Sequence, residues 1–247
     1  MDLFEYSRQL NMKKTAPLAA RMRPETLEEF VGQKHIVGKG KMLYRAITAD
    51  TLSSVIFYGP PGTGKTTLAR IIANTTKRDF VQINATTAGI KDIKEVVTKA
   101  KDNLGMTGKK TILFIDEIHR FNKSQQDALL PHVEDGTIAL IGATTENPYF
   151  EVNKALISRS IVFELEPLKT EDIKSLILRA FNDKDKGFGD FKINVDNDVV
   201  DFIADVSNGD ARAALNAVEL AVLSTPKDEK GFINIDMETA QECMQKR

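Results

Sequence analysis

The stretch that decides the fold runs from residue 54 to residue 72 and reads SVIFYGPPGTGKTTLARII. Residues 54–58 form a short apolar run, which predicts a buried strand, and residues 67–72 are typical of a helix. The loop between them contains three glycines, so its backbone can curl with the N–H groups pointing inward. Such a loop at a helix N-terminus binds phosphate groups, because the N–H groups and the helix dipole both present positive charge.

The same loop carries the side chains that a complex of ATP with Mg²⁺ needs. We expect Lys65 to reach the β and γ phosphates and the Thr66 hydroxyl to bind Mg²⁺. The strand and helix on either side make a chance glycine-rich turn a poor alternative. The sequence therefore predicts a site for ATP and Mg²⁺ formed by Gly59, Pro60, Pro61, Gly62, Thr63, Gly64, Lys65, Thr66 and Thr67.

A second apolar run, residues 111–115, ends in Asp116 and Glu117. Ligands of open α/β sheets bind at the carboxyl ends of the strands, so both acids are expected beside the phosphates. We expect Asp116 to hold Mg²⁺ indirectly, through water bound to the ion, and Glu117 to orient and polarise the attacking water. The alternative is a strand that ends in acids for solubility. The acid that follows the metal-binding Asp116 favours hydrolysis, and no insertion between the motifs is large enough to form a second substrate pocket.

Further short apolar runs at 80–83, 138–141 and 161–163 alternate with helical stretches, which predicts an α/β fold with a doubly wound parallel sheet. After residue 167 the spacing becomes helical at 170–181, 196–206, 210–223 and 236–244, which indicates a smaller, all-helical lid domain. The predicted organisation is a flexible lead-in over 1–17, a nucleotide-binding domain over 18–166 and the lid over 167–247.

The composition sets limits on the class of protein. Hydrophobic residues make up 42% and charged residues 28%, which is typical of a folded, soluble chain. Cys243 is the single cysteine and has no partner for an internal disulfide, and no apolar run reaches the ~20 residues of a membrane span. We therefore expect a cytoplasmic protein. The net charge of -1 means that any DNA contact must come from a local patch.

Four segments together resemble one known family. LAARMRP (18–24), GPPGTGKTT (59–67), IDEIHRFNKSQQD (115–127) and IGATTENP (141–148) are closely similar to the replication-associated recombination protein A family of AAA+ ATPases. That family is related to the Werner helicase-interacting ATPase and to the clamp loaders. The resemblance implies an AAA+ fold and an ATPase that acts on DNA during replication-fork maintenance and recombination. It also implies a C-terminal domain that assembles tetramers, so we expect this chain to be an N-terminal portion.

The resemblance implies further site residues. Val31 lies in a segment similar to the adenine pocket, Thr145 matches the sensor-1 position with Thr144 as the alternative, and Arg159 matches a finger that reaches a neighbour's nucleotide. Arg212 matches the sensor-2 arginine of the lid. The alternatives are a packing segment for Val31, a strand-end turn for Thr145, a solvated surface arginine for Arg159, and an ion pair with Asp210 or Glu219 for Arg212.

Partners are expected from the same resemblance. In clamp loaders the helix after the second strand meets DNA phosphates, and here that place is residues 86–91, followed by Lys94, Lys99 and Lys101. Gapped, forked or single-strand ends are the expected DNA. Single-strand binding protein and the sliding clamp are expected protein partners, the clamp through the Leu3-Phe4 pair. The alternative function is a nucleotide-switched adaptor that binds replication proteins and hydrolyses ATP only incidentally.

Two groups of residues receive no catalytic role from the sequence. His35, His119 and His132 have no partners at metal-ligand spacing, so a zinc site is not expected, and His119 is expected to pack or relay. Lys123 and the Gln125-Gln126 pair are interpreted as interface or coupling residues.

Overall fold

The computed structural model describes residues 16–244, which form two units. One unit is Pro24–Glu166, and the other is the chain from Pro167 onward together with the segment that ends at Arg23. Most of the predicted lead-in over 1–17, and the Leu3-Phe4 pair, lie outside the described residues. The first unit begins at Pro24, whereas the sequence predicts that the nucleotide-binding domain begins at Leu18.

The reason for this difference is the packing of helix α1 (Leu18–Arg21), which belongs to the second unit. The Leu18 N–H donates to Glu219 Oε1 at 2.8 Å, and the Arg21 guanidinium lies over the Phe188 ring at 5.4 Å. Both contacts join residues far apart in the chain, which spacing along the sequence does not reveal.

The first unit is built on a parallel sheet with the order β2-β3-β4-β1-β5. Its strands are β1 (Ser54–Tyr58), β2 (Asp79–Asn84), β3 (Thr111–Asp116), β4 (Ile138–Thr144) and β5 (Ser160–Glu164). Every adjacent pair is parallel. The almost fully buried β1, β3 and β4 are central, while the half-buried β2 and β5 are the outermost strands. The predicted α/β class and parallel sheet are therefore confirmed.

The helices of the first unit supply the crossovers that a parallel sheet requires. They are α2 (Lys34–Val37), α3 (Met42–Thr48), α4 (Lys65–Thr75), α5 (Ile90–Thr107), α6 (Lys123–Asp127), α7 (Leu130–Glu134), α8 (Pro148–Glu151) and α9 (Lys154–Ile157), with a 3-10 turn at Ile118–Arg120. Leu68 and Ile72 of α4 pack in one hydrophobic cluster, and Ile93 and Val97 of α5 pack in another. Successive residues of the central strands point to opposite faces, so Phe114 packs in the first cluster and Ile115 in the second. Both faces of the sheet are therefore covered.

The strand order fixes where the ends of the strands meet. β4 lies between β1 and β3, with Tyr58 opposite Thr144 and Ile115 opposite Gly142. Because all strands run the same way, the residues that follow β1, β3 and β4 share one edge of the sheet, which is formed by the carboxyl ends of the strands. The opposite edge is formed by the residues at which the strands begin. β1 and β3 are two strand spacings apart, about 10 Å.

The second unit contains α10 (Thr170–Asn182), β6 (Lys192–Val195), α11 (Asn197–Val206), α12 (Ala211–Ser224), β7 (Phe232–Ile235) and α13 (Met237–Met244). It is therefore not all-helical as predicted, because β6 and β7 form a two-stranded parallel sheet. Each of these strands has four residues, too few for a clear alternating pattern in the sequence. Within residues 16–244, no helix has the length and apolar character needed to cross a membrane.

Candidate functional site

The loop between β1 and α4 has a backbone that glycine alone adopts without strain. Gly59 and Gly64 have φ angles of 139° and 101°. A Cβ atom on Gly59 would lie 2.1 Å from the Leu165 carbonyl oxygen, and one on Gly64 would lie 2.8 Å from the Phe30 ring. The loop is therefore held close to two neighbouring segments, and side chains at these positions would displace it.

The Lys65 ammonium lies on the inside of this loop. Its Nζ donates to the carbonyls of Gly59 and Pro60, both at 2.7 Å, and the residue is only 8% exposed. The Thr63 hydroxyl also donates to the Pro60 carbonyl, at 2.9 Å. Lys65 is the first residue of α4, and Thr66 and Thr67 complete the start of that helix. A buried positive charge and a helix N-terminus thus converge on one loop, which is the arrangement that binds phosphate.

The segment that contains Val31 lies against the same loop. The side-chain amide of Gln33 donates to the Glu166 carbonyl at 2.7 Å and accepts from the Glu166 N–H at 3.1 Å. It also donates to the Thr63 carbonyl at 3.5 Å, and the Phe30 ring contacts Gly64. Val31, between these two anchors, is partly buried and adjacent to the phosphate loop.

The two acids lie at the end of β3, two strands away from this loop. Asp116 is the last residue of the strand, and its carbonyl accepts from the Ala85 N–H at 3.0 Å. Glu117 has a left-handed backbone with φ of 55° and ψ of 44°. That conformation costs a side-chain-bearing residue about 1–2 kcal/mol. The abrupt turn ends the strand at Asp116 and leaves the Glu117 side chain 32% exposed.

The two threonines considered for the sensor-1 position have different surroundings. Thr144 ends β4 and is fully buried, with its hydroxyl 2.7 Å from His119 Nδ1 and accepting from the Glu146 N–H at 3.0 Å. Thr145 follows the strand and is exposed. Because β4 lies between β1 and β3, both residues lie between the phosphate loop and the acids.

Arg159 is the one predicted site residue of this unit that lies at the opposite edge of the sheet. It directly precedes β5, whose first residue Ser160 pairs with Ser54, the first residue of β1. Arg159 is held by Glu134, with Nη2 2.5 Å from Oε1, and it donates to the Ala155 carbonyl at 2.9 Å. Its side chain remains 40% exposed.

Arg212 belongs to the second unit, where it is the second residue of α12. Asp210 caps this helix, and its carboxylate accepts from the backbone N–H groups of Arg212 at 2.8 Å and Ala213 at 3.0 Å. Glu219 forms its ion pair with Arg21, at 3.8 Å. Both acids that were considered as ion-pair partners of Arg212 therefore have other contacts.

The sequence did not indicate three further contacts of the site. His119 contacts both Glu117 and Thr144, Glu134 holds Arg159, and Tyr58 at the end of β1 donates to Glu164 Oε2 at 2.8 Å. The last hydrogen bond raises the pKa of Tyr58. For the contact between His119 and Glu117, the feature of the sequence that could have indicated it is that His119 lies two residues after Glu117.

The fold and the two motifs define a class of protein, the P-loop nucleotide-binding domains. Within that class, residues 55–166 match the family described as "ATPase family associated with various cellular activities (AAA)". Residues 189–247 match the family described as "AAA C-terminal domain".

Named relatives narrow the family further. Replication-associated recombination protein A of Escherichia coli K12 is 52% identical over 87% of this chain and 48% of its own length. The Bacillus subtilis protein of the same name is 47% identical over 94% of this chain and 54% of its own length. ATPase WRNIP1 of Dictyostelium discoideum is 44% identical over 91% of this chain and 26% of its own length. The chain belongs to the replication-associated recombination protein A family of AAA+ ATPases, and it spans about half the length of the bacterial relatives.

The fold is also that of a solved motor protein. The Thermotoga maritima RuvB Holliday junction branch migration motor matches with a TM-score of 0.72 at 28% identity, over 91% of this chain and 72% of that one. A single-substitution variant of the same motor matches with a TM-score of 0.71, also at 28% identity and over the same shares of both chains.

We predict that Lys65→Ala weakens ATP binding by roughly tenfold to a hundredfold, because a hydrogen bond to a charged group contributes about 1.5–3 kcal/mol. Titration with a fluorescent ATP analogue measures the change in Kd. Lys110→Ala is the matched control, since Lys110 is an exposed lysine just before β3, at the opposite edge of the sheet. An unchanged Kd for Lys65→Ala would show that the nucleotide binds elsewhere.

Proposed function

We propose that this chain binds Mg-ATP at the loop after β1 and hydrolyses it with the acids after β3. The observation that carries the proposal is the Lys65 ammonium buried inside a glycine-rich loop, on the edge of the sheet that also carries Asp116 and Glu117. The spacing of about 10 Å between β1 and β3 leaves room for a triphosphate between the lysine and the acids.

The residues of this edge divide the work of binding. The backbone N–H groups of residues 62–67 and the Lys65 ammonium bind the phosphates. The Thr66 hydroxyl would supply an oxygen ligand, which Mg²⁺ prefers, and the Asp116 carboxylate would hold the ion through its bound water; the ion would neutralise phosphate charge. Val31, anchored between Phe30 and Gln33, lines the adenine side of the site.

The remaining residues act on the reaction. Glu117 orients and polarises the water that attacks the γ-phosphate, since phosphoryl transfer depends on positioning and charge more than on covalent chemistry. Thr145, exposed at the end of β4, is proposed to bind that water or the γ-phosphate, and the choice is supported by the two protein partners that the Thr144 hydroxyl already has. Arg212, near the start of α12, is proposed as a γ-phosphate ligand.

We predict that Glu117→Gln lowers the ATPase rate by about 10²–10⁴-fold while Kd for ATP stays within about twofold of wild type. The amide keeps the size of the side chain but cannot polarise water as a carboxylate does. Phosphate release and nucleotide titration on the same preparation separate the two effects. Glu146→Gln, which changes another exposed acid at this edge, is the control. Turnover of Glu117→Gln within a few-fold of wild type would remove Glu117 from the mechanism.

Arg159 is proposed to act on the nucleotide of a neighbouring subunit. It lies just before the first residue of β5, while the phosphate loop follows the last residue of the paired strand β1. A strand of five residues spans about 16 Å, so the length of the sheet separates Arg159 from its own loop. Glu134 holds the guanidinium at this far end, where it is exposed to a second copy of the chain. The proposal therefore requires a homo-oligomer, which we propose to be a tetramer in the full-length form.

We predict that Arg159→Ala leaves ATP affinity near the wild-type value and lowers the rate by about 10³-fold or more, which is the usual effect of removing an arginine finger. Mixing Arg159→Ala with Glu117→Gln restores part of the activity, because some interfaces then pair an intact Glu117 with an intact Arg159. The specific rate of the wild-type chain rises with protein concentration.

The control for this experiment is Lys154→Ala, which removes a nearby exposed positive charge at the start of α9. A mixture of the two variants that is no more active than either alone, together with a specific rate independent of concentration, would contradict action in trans.

DNA is proposed as the partner of the residues around the start of α5. This helix begins directly after Gly89, in the segment that follows β2, at the same edge of the sheet as Asp116. Asp92 already accepts from the Gly89 N–H at 2.7 Å, so the helix N-terminus is partly neutralised and a phosphate contact depends on lysines. The proposal is supported by the names of the relatives, which refer to replication and recombination.

The lysines of α5 fall into two groups. Lys91, Lys94 and Lys101 are exposed and follow one another at spacings of three and seven residues, so they share a face of the helix. Lys99 is paired with Glu95 at 2.7 Å. The first group is therefore the candidate for phosphate contacts, and Lys99 provides a matched control.

We predict that gapped, forked or single-stranded DNA stimulates the ATPase rate and that the double variant Lys91→Gln/Lys94→Gln reduces this stimulation. Its DNA affinity should also depend less on salt, by about one unit of slope for each lysine that no longer binds a phosphate. Lys99→Gln should behave as wild type. Binding to single-strand binding protein or a sliding clamp that follows nucleotide occupancy, with no response to any DNA, would favour the adaptor function instead.

A further inference from the structure

The His119 imidazole bridges Glu117 and Thr144. Its Nε2 lies 3.5 Å from Glu117 Oε2, and its Nδ1 lies 2.7 Å from the Thr144 hydroxyl. The ring belongs to the 3-10 turn at Ile118–Arg120, and its side chain is only 8% exposed. The polar ring is therefore largely buried and has a contact on each nitrogen.

The chemistry of these contacts determines which nitrogen carries the proton in the neutral ring. An ionised carboxylate only accepts hydrogen bonds, so Nε2 has to carry the proton if it is to donate to Glu117. Nδ1 is then an acceptor, and the Thr144 hydroxyl donates to it. The Thr144 oxygen in turn accepts from the Glu146 N–H at 3.0 Å. Every donor in this series thus has an acceptor.

The series also reaches the phosphate loop. The Thr144 carbonyl accepts from the Gly59 N–H at 3.2 Å, so the residue that orients His119 also holds the first glycine of the loop. The 3.5 Å separation between Nε2 and Oε2 exceeds the usual N–H···O distance of about 2.9 Å. Such contacts are commonly long before substrate binds and shorten in the reacting complex.

We propose that His119 is a positioning residue for Glu117: its Nε2–H binds the Glu117 carboxylate and holds it towards the attacking water. Thr144 fixes the orientation of the ring and links it to the phosphate loop. This inference rests on the proposed role of Glu117. It explains how a carboxylate on a strained, partly exposed turn keeps one orientation.

Two variants of His119 separate this role from simple packing. The amide nitrogen of glutamine reaches the position of Nε2, whereas the shorter asparagine reaches only the position of Nδ1. We predict that His119→Asn lowers kcat by about tenfold or more with little change in KM, which is the effect of losing one hydrogen bond in the transition state. His119→Gln should stay within about threefold of wild type. Equal losses in both variants, or a smaller loss in His119→Asn, would overturn the proposal.

Thr144 variants and a spectroscopic measurement test the orientation of the ring. Thr144→Ser should keep kcat and Thr144→Val should lower it, since only serine retains the hydroxyl. Long-range ¹H–¹⁵N spectra of the imidazoles, assigned by loss of each histidine, should show the Nε2–H tautomer for His119 in wild type. A proton on Nδ1 of a neutral His119 would leave Nε2 unable to donate, and would overturn the proposal whatever the kinetics.

Two controls separate this inference from the proposed function. His132→Gln changes another imidazole of the same unit, near Asp135 at 3.8 Å, and should not alter kcat. His119→Asn added to Glu117→Gln should lower the residual rate no further, because His119 acts through Glu117. If Glu117→Gln abolishes turnover and the His119 variants do not affect it, only the inference about His119 fails. If the wild-type chain does not hydrolyse ATP, the proposed function fails and the inference fails with it.

Discussion

The parallel pairing of β4 between β1 and β3 is the interaction on which the site depends. Tyr58 pairs with Thr144, and the first glycine of the phosphate loop donates its N–H to the Thr144 carbonyl. On its other side β4 pairs with β3 in a register that sets Ile115 opposite Gly142. A slip of one residue would exchange the side chains of β4 between the two hydrophobic clusters, and the close packing of those clusters fixes the register. The positions of the loop, the threonines and the acids all follow.

The parallel pairing of the strands also keeps Arg159 far from the phosphate loop of its own chain. Because the strands are parallel, one edge of the sheet collects the ends of β1, β3 and β4, and the other edge carries the turn before β5. Arg159 lies at this second edge, and Glu134, at the end of α7, precedes β4 there and holds it. A subunit with its loop at one edge and Arg159 at the other cannot bring that arginine to its own loop. The need for assembly, if Arg159 acts as proposed, is thus a consequence of strand polarity.

Much of the fold could be predicted because burial on both faces leaves short apolar runs in the sequence. The predicted β1 has the observed bounds, whereas β2, β3 and β4 extend beyond the prediction into Asn84, Asp116 and Thr144. These polar residues remain paired in the sheet, and an apolar pattern cannot include them. Strand order could not be predicted either, and so the contact of His119 with Thr144, 25 residues later in the chain, could not be predicted.

The stretch after Glu117 shows why a motif can be recognisable while its chemistry is obscure. Gln125 donates to the Ala88 carbonyl at 3.0 Å, just before α5, and the Gln126 oxygen accepts from the Asn153 N–H at 2.6 Å, at the start of α9. Gln126 is only 4% exposed, and a buried amide without partners costs about 1–3 kcal/mol. The two glutamines therefore fix the acid-bearing segment to the loop proposed for DNA and to the helix before Arg159. Their hydrogen bonds are made to backbone groups of these two segments, and the interface or coupling role stays a prediction.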